Sequence, residues 1–219
     1  MMKRASTISR VVSAFVAAGL VLGAVVLVVG TAPGVKACIT ATGCDFLTGG
    51  GWIVYHGNKG TFGVGGGCKH GSGTNGIPYW GHLEYHDHGI GLNLHATSIT
   101  AYFPDGDTGT DTKTHQPTGA RWICGTAKTN LYDDVSFVVH ARDRGEPGVN
   151  DLFDIRVTSP DGTIEHYNTV NECPNYQTSG HYLGSYAPCA PGNGGGGNIQ
   201  LHKPNPSTTG DFGGSCPAF

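Results

Sequence analysis

After its first 37 residues, the chain is dominated by short runs in which apolar side chains recur at every second position. The clearest run places Val135, Phe137, Val139 and Ala141 on one side. A period of two is typical of a β-strand that buries one face, because successive side chains point to opposite faces. The other predicted strands lie at Trp52–Tyr55, Leu92–Ala96, Ile99–Phe103, Trp122–Thr126 and Phe153–Val157, with a bulge at Thr97-Ser98.

Turn-forming residues separate these runs. Ser159-Pro160-Asp161-Gly162-Thr163 is typical of a hairpin turn, because proline presets one backbone angle and glycine accepts a positive one. The stretch 104–107 predicts a second turn by the same chemistry, and the Gly-, Pro- and Asn-rich segments 65–79 and 171–197 predict excursions between strands. About eight to ten short strands at turn spacing predict an all-β, antiparallel β-sandwich, Ig-like or jelly-roll-like, with Gly-rich loops.

The composition agrees with this fold class. The 219 residues include 37 glycines and 12 prolines. Both residue types are unfavourable inside helices. The composition therefore excludes a helical bundle.

The first 37 residues have the layout of a secretory signal peptide. Three basic residues precede an uncharged run from Val11 to Gly30, and small residues end at Ala37, which predicts cleavage there. The run also approaches the length that spans a bilayer, so an uncleaved membrane anchor is the alternative. Either reading places the remainder outside the cell, as a single domain over 38–203 followed by a C-terminal tail, 204–219.

The exported part is acidic. After residue 37 it holds nine Lys and Arg residues against sixteen Asp and Glu residues, a formal net charge of −7. An acidic surface without a basic run excludes nucleic acid as a partner.

All seven cysteines lie in the exported part, where an oxidising compartment favours disulfides. No CxxC pair is present, which argues against a zinc knuckle or a thioredoxin-type redox site. Spacing leaves the connectivity open, and the odd count leaves one cysteine unpaired or intermolecular, with Cys38 and Cys216 nearest the termini. The disulfide candidates are Cys38, Cys44, Cys68, Cys124, Cys173, Cys189 and Cys216.

A histidine-rich segment at 81–89 is the first candidate site. On a strand, its alternate side chains would share one face at steps of about 6.5–7 Å. Imidazole and carboxylate ligands of this kind suit zinc, copper or nickel. The candidate transition-metal ligands are His82, Glu84, His86 and His88.

The alternative for this segment is a solvated strand face, with Leu83 and Tyr85 packed inward. Side chains two apart on one strand seldom close a tetrahedral site alone. A metal site would therefore need a further ligand, such as His95 or His140.

An acidic loop at 141–151 is the second candidate site. Calcium prefers several carboxylate and carbonyl oxygens from a bent loop, although the order of residues here does not match an EF-hand. The alternative is a plain hairpin loop whose turns are set by glycine and proline. The candidate calcium ligands are Asp143, Glu146, Asn150, Asp151 and Asp154.

Four segments, taken in order, carry a family resemblance. They are Thr48-Gly49-Gly50-Gly51-Trp52-Ile53, the stretch 81–92, the loop 143–151, and Gly195-Gly196-Gly197-Asn198-Ile199-Gln200-Leu201-His202-Lys203. Together they resemble the post-choice-of-anchor domain of bacterial secreted proteins over about residues 46–203. The resemblance implies an extracellular β-sandwich-like module, often appended to surface-anchored or adhesive proteins, with no established catalytic activity. The extra cysteines and the insert 65–79 depart from that family.

The acidic loop also resembles the cadherin segment Ala-x-Asp-x-Gly-x-Pro. Ala141, Asp143, Gly145 and Pro147 match it. In cadherins that Asp is a calcium ligand, so the resemblance implies a calcium-binding role for Asp143.

The sequence thus predicts a secreted or cell-surface structural or binding module without catalysis, stabilised by calcium. Its partner would be an extracellular protein, a glycan or a second copy, and it would meet the membrane only through an uncleaved N-terminal segment. One alternative is a metal-binding protein or metalloenzyme built on the histidine-rich segment. Another is a glycan-active enzyme, because the pairing of catalytic carboxylates is spatial. Aromatic residues that could face a sugar, or lie in the core, are Trp52, Tyr79, Trp80 and Tyr85.

Overall fold

Nine antiparallel strands form the framework of the computed structural model, which describes residues 43–70, 76–173, 180–192, 195–205 and 210–217. The predicted signal peptide at 1–37 and Cys38 lie outside these ranges. No helix among the described residues is both long and apolar enough to traverse a bilayer. The strands are β1 (Phe46–Tyr55), β2 (Asn58–Cys68), β3 (Tyr79–Asp87), β4 (Leu92–Thr110), β5 (Pro117–Thr129), β6 (Val135–Asp143), β7 (Leu152–Thr158), β8 (Glu165–Asn168) and β9 (Gly197–His202).

The strands belong to one open antiparallel sheet, in the order β8-β7-β6-β5-β4-β3-β2-β1-β9. Sequential strands pair as hairpins, and only β9 departs from chain order by pairing with β1. The sheet folds over so that its two halves face each other: Phe62 of β2 stacks on Phe153 of β7 at 3.7 Å between ring centroids. On the same inner side, the hydroxyls of Tyr85 and Tyr167 hydrogen-bond at 2.7 Å. The predicted all-β, antiparallel, sandwich-like class is confirmed.

The long strand β4 contributes to both halves. Its pairing with β5 shifts register between Ala96 and Ser98, where the sequence predicted a bulge, and again between Ile99 and Ala101. Bulges bend a strand and increase its twist. They allow β4 to continue from one half of the folded sheet into the other.

The predicted turn at 104–107 is wrong. Gly106 does take a positive φ of 75°, but the chain continues in β4 to Thr110 with only a register shift against β5. The turn lies further on, where the carboxylate of Asp111 accepts the backbone N–H groups of Lys113 and Thr114. Glycine here produces an irregularity within a strand, and the Asp side chain makes the reversal.

The predicted excursion at 65–79 is wrong at its start, because β2 continues through its glycine run to Cys68. Glycine is required there by close packing. A Cβ atom on Gly66 would approach side-chain atoms of Tyr102 and Ile123 to 3.1 Å, and one on Gly67 would meet the indole of Trp80 at 2.9 Å. The run reads as a loop in sequence, but it is a strand covered on both faces.

Three disulfides staple the fold: Cys44–Cys68, Cys124–Cys216 and Cys173–Cys189. The second fastens the described tail residues 210–217 to β5. Nearby, Gly213 and Tyr102 exchange backbone hydrogen bonds of 3.0 Å. Stapling by disulfides is confirmed for six of the seven cysteines.

Removing the Cys124–Cys216 disulfide, by Cys124→Ala with Cys216→Ala, is expected to lower the free energy of unfolding by about 4.6 kcal/mol. The bond joins residues 92 apart, and a long closed loop restricts the unfolded chain most. Denaturant titration measures the loss. The matched control, Cys173→Ala with Cys189→Ala, opens a separation of 16 residues and should cost about 3 kcal/mol. An equal or larger loss in the control would contradict this ranking.

Candidate functional site

The histidine-rich segment forms β3 and faces outward on the half of the sheet made by β1 to β4. Leu83 and Tyr85 are buried, as the alternation predicts, while His82, Glu84 and His86 lie on the opposite face. His88 follows the end of β3, and its ring lies 4.1 Å from that of His86. The segment therefore presents a polar strand face to solvent.

Strand β4 supplies partners to this face. Glu84 is directly opposite His95, and its carboxylate contacts Nδ1 of that imidazole. His86 is opposite Asn93, and Nδ1 of the ring contacts the amide oxygen. His95 thus lies beside the segment, whereas His140 is buried elsewhere, with Nε2 2.9 Å from Asp105 Oδ2.

A pocket of about 460 Å³ opens on this face, and we call it the outer-face pocket. Its lining combines hydrogen-bond acceptors, donors and groups that serve as both. The residues that line it are the polar Thr61, Glu84, His86, Asn93, His95, Lys128, Thr129 and Asn130, together with Phe62, Gly63, Tyr85 and Leu94.

Gly63 leaves room within the outer-face pocket. Gly63 of β2 pairs with Gly50 of β1, and no heavy atom lies within 4 Å of the position that a Cβ on Gly63 would occupy. Thr61, which lines the pocket, pairs with Trp52 of β1. The ring of Tyr186, which is 78% exposed, lies 5.1 Å from the Trp52 ring.

This arrangement presents hydrogen-bonding side chains to solvent. Carboxylate, amide and imidazole groups accept or donate hydrogen bonds, and Lys128 adds a positive charge. Of the residues that line or adjoin the pocket, the sequence had singled out the histidine-rich segment, His95 as a possible further metal ligand, and Trp52 as an aromatic residue that could face a sugar. Asn93 could also have been found, since it occupies a polar position between Leu92 and Leu94 in a predicted strand. Lys128 and Asn130 come from the end of β5, which only the fold brings near.

The described residues include no group of three or more His, Cys, Asp or Glu side chains arranged closely enough to hold a metal ion. In the histidine-rich segment, His82 lies over Gly65. Its ring atoms are 3.2–3.3 Å from the position that a Cβ on Gly65 would occupy. The geometry does not bring the predicted ligands together around one point, and the transition-metal site stays a prediction.

In the acidic loop, two of the predicted calcium ligands instead bind strand β9. Asp143 Oδ2 accepts the N–H of Leu201 at 2.7 Å, and Asp151 Oδ2 accepts the N–H of Ile199 at 2.8 Å. The second oxygen of each carboxylate accepts an N–H of the loop itself, from Gly145 and Arg144 respectively. We call this pair of aspartates the carboxylate clamp.

The other predicted calcium ligands take different positions. Glu146 Oε1 accepts a hydrogen bond from the Asn198 amide at 3.1 Å, near the carboxylate clamp. Asp154 points to His181, and Asn150 is exposed. The structure therefore gathers Asp143, Glu146 and Asp151 at one corner, and calcium there stays a prediction.

Burial shapes the acidity of the carboxylate clamp. It raises the pKa of Asp151 to about 7, because desolvation outweighs the two N–H donors that favour the ionised form. Burial also raises the pKa of Asp143, and the charge of Glu146 adds to both effects.

Comparison with protein-family models, with curated proteins and with solved structures finds no match for this chain. The resemblance to the post-choice-of-anchor domain therefore rests on its four sequence segments, and it stays a prediction.

The free energy of unfolding is expected to fall by a few kcal/mol as the pH rises from about 4 to about 7. The folded-state pKa of Asp151 lies above its unfolded value, so the folded state binds this proton more tightly and loses that advantage on deprotonation. Asp151→Asn should flatten the dependence, as measured by urea unfolding at a series of pH values.

The matched control for that experiment is Asp161→Asn, at an exposed turn carboxylate whose pKa is lowered mainly by its hydrogen bond from Ser159. This variant should keep the falling profile of the unsubstituted protein. Parallel profiles for the unsubstituted protein and Asp151→Asn would show that Asp151 is not the titrating group.

Proposed function

We propose that this chain is a secreted or cell-surface binding module, without catalysis, that recognises a glycan through the outer-face pocket. One observation carries the proposal: in an open pocket of about 460 Å³, polar side chains from four neighbouring strands, β2 to β5, converge beside Gly63. A pocket of this size accommodates a sugar unit of a longer glycan.

The polar lining supports a hydroxyl-rich ligand. A sugar hydroxyl both donates and accepts hydrogen bonds, so it pairs best with a mixed set of groups. Glu84 accepts, Lys128 donates, and the amides of Asn93 and Asn130 do both.

An exposed aromatic pair at β1 supports the same conclusion. Tyr186 exposes most of its surface beside Trp52, and a large exposed aromatic ring favours contact with a flat, partly apolar surface. The C–H faces of pyranose rings have that character. Lys59 covers part of the Trp52 ring at 4.2 Å from its centroid, which holds the indole in place and leaves Tyr186 as the freer surface.

Three disulfides support an extracellular location, because such bonds persist in oxidising compartments. The predicted signal peptide and the resemblance to a surface-associated module point the same way. A protein partner on the same face is the other outcome that the experiments below distinguish.

Gly63→Gln is expected to weaken glycan binding by about tenfold or more, because the new side chain enters the pocket that the glycine leaves open. The protein secreted into the medium is first screened on an array of neutral and acidic oligosaccharides. Calorimetry then measures the dissociation constant of the strongest sugar for each variant. Since no atom lies within 4 Å of the new Cβ, the melting temperature should stay close to that of the unsubstituted protein.

The control is Ser136→Gln, on β6 in the other half of the sheet, which should leave sugar affinity unchanged. Tyr186→Ala provides a second test, with an expected loss of affinity at unchanged stability. Equal sugar affinity for Gly63→Gln and the unsubstituted protein would overturn this site. Binding to no sugar on the array, together with capture of an extracellular protein that Gly63→Gln abolishes, would assign the pocket to a protein partner.

Incubation of the strongest sugar with the protein, followed by product analysis, separates the module from a glycan-active enzyme. We expect the oligosaccharide to be recovered intact. Turnover of the sugar that is lost in Glu84→Gln would show that the protein is a glycan-active enzyme and would overturn the assignment as a binding module.

A further inference from the structure

The Cys173–Cys189 disulfide is asymmetric. Sγ of Cys173 belongs to a buried residue, whereas Cys189 is exposed. In the other two disulfides all four cysteines are buried. An external reagent therefore reaches one sulfur of this bond, and the partner sulfur lies inside the protein.

The buried sulfur lies against a fully buried histidine. Nε2 of His181 is 3.8 Å from Cys173 Sγ and 3.3 Å from Glu172 Oε2. Nδ1 of the same ring donates to Asp154 Oδ1 at 2.7 Å, and Thr169 donates its hydroxyl to that oxygen. The ring is thus held between two carboxylates with one nitrogen facing the disulfide.

This environment favours an imidazolium ion. Burial lowers the pKa of His181, but the hydrogen bonds and charges of Asp154 and Glu172 outweigh burial and raise it overall. The remaining ring nearby is that of Tyr55, edge-on at 6.1 Å between centroids. A cation beside a sulfur stabilises the thiolate form of that sulfur.

We propose that Cys173–Cys189 is an exchange-reactive disulfide, in which an external thiol attacks Cys189 and His181 stabilises Cys173 as the leaving group. His181 is a positioning and charge-stabilising residue here, and Asp154 and Glu172 maintain its charge. The site would take a small thiol or a thiol on a partner surface, and the product is a mixed disulfide on Cys189.

The exchange balances without a further reactant. The thiolate of the external molecule forms a bond to Cys189 Sγ, and the Cys189–Cys173 bond breaks. The electron pair of that bond goes to Cys173 Sγ, which becomes a thiolate and accepts the proton that His181 holds on Nε2. The external thiol is oxidised to the disulfide level, and Cys173 is reduced.

The direction of attack follows from burial and from leaving-group chemistry. An exposed sulfur is accessible, and exchange is fastest when the departing sulfur is stabilised as a thiolate. Attack on Cys173 would require access to a residue that is 1% exposed, and it would expel Cys189 into solvent without a neighbouring imidazolium. Both factors select Cys189 as the site of the adduct.

Reduced glutathione is the probe for the experiment. The full secreted protein is incubated with glutathione, quenched with acid, digested and analysed by mass spectrometry. The expected result is a glutathione adduct on Cys189 with a free thiol at Cys173, formed before either of the other two disulfides opens. Adduct on Cys173, or simultaneous opening of all three disulfides, would overturn the proposal.

The exposure of Cys189 alone would also make this disulfide react before the other two. The rate of adduct formation in His181→Gln is therefore the decisive measurement. Removing the cation is expected to slow adduct formation by about tenfold, since exchange rates follow the acidity of the leaving thiol. His166→Gln, at a half-buried histidine stacked on Tyr132, is the matched control and should react at the unsubstituted rate. If folded His181→Gln reacts at the unsubstituted rate, exposure of Cys189 alone explains the reactivity, and the proposed role of His181 is wrong.

Glu172→Gln provides a second variant that should fold, because the Glu172 side chain is 25% exposed and glutamine has the same shape as glutamate. It should also slow adduct formation, but by a smaller factor than His181→Gln does. Near-UV circular dichroism establishes which variants are folded. If His181→Gln does not fold, Glu172→Gln decides, and an unsubstituted rate there would overturn the role of the buried charge.

Discussion

The carboxylate clamp is the interaction on which the arrangement of the sheet depends. Among the described residues, β9 is an edge strand of the sheet, and the N–H groups of Ile199 and Leu201 point away from its strand neighbour, β1. Buried N–H groups without acceptors would each cost about 1–3 kcal/mol. Asp143 and Asp151 act as the missing neighbour and join β9 to the β6–β7 loop. This contact holds the two halves of the folded sheet against each other.

The position of the outer-face pocket follows from that closure. With β9 fixed, β1 is paired on both sides, and its register places Gly50 and Trp52 beside Gly63 and Thr61 of β2. The same sheet buries Phe62 on its inner face, where the ring stacks across the core. One strand therefore fills the core with alternate residues and leaves a shallow opening outside with the others. A pocket made in this way rests on paired backbone, which restricts its movement.

Much of the fold was predictable because β-strands with one buried face show a period of two. Val135–Ala141 and the histidine-rich segment follow that rule, and both are strands. The glycine run before Cys68 carries no such period, since glycine has no side chain to alternate, and it was predicted to be a loop. Cysteine pairing and the buried contact of Arg121 with Asp45 join residues far apart in sequence, so spacing does not reveal them. The candidate site was predictable only where its residues share one strand.

The acidic loop shows why residue types alone do not define a site. Calcium and backbone N–H groups both bind carboxylate oxygens, so a calcium loop and a carboxylate clamp use the same residues. In this chain Asp143 and Asp151 each give both oxygens to N–H groups, and burial favours the protonated form of Asp151 near neutral pH. A calcium ion would have to displace that proton and share oxygens that already hold β9. Protons, calcium and the edge strand are therefore competitors for one pair of carboxylates, and the strand is the competitor that folding itself supplies.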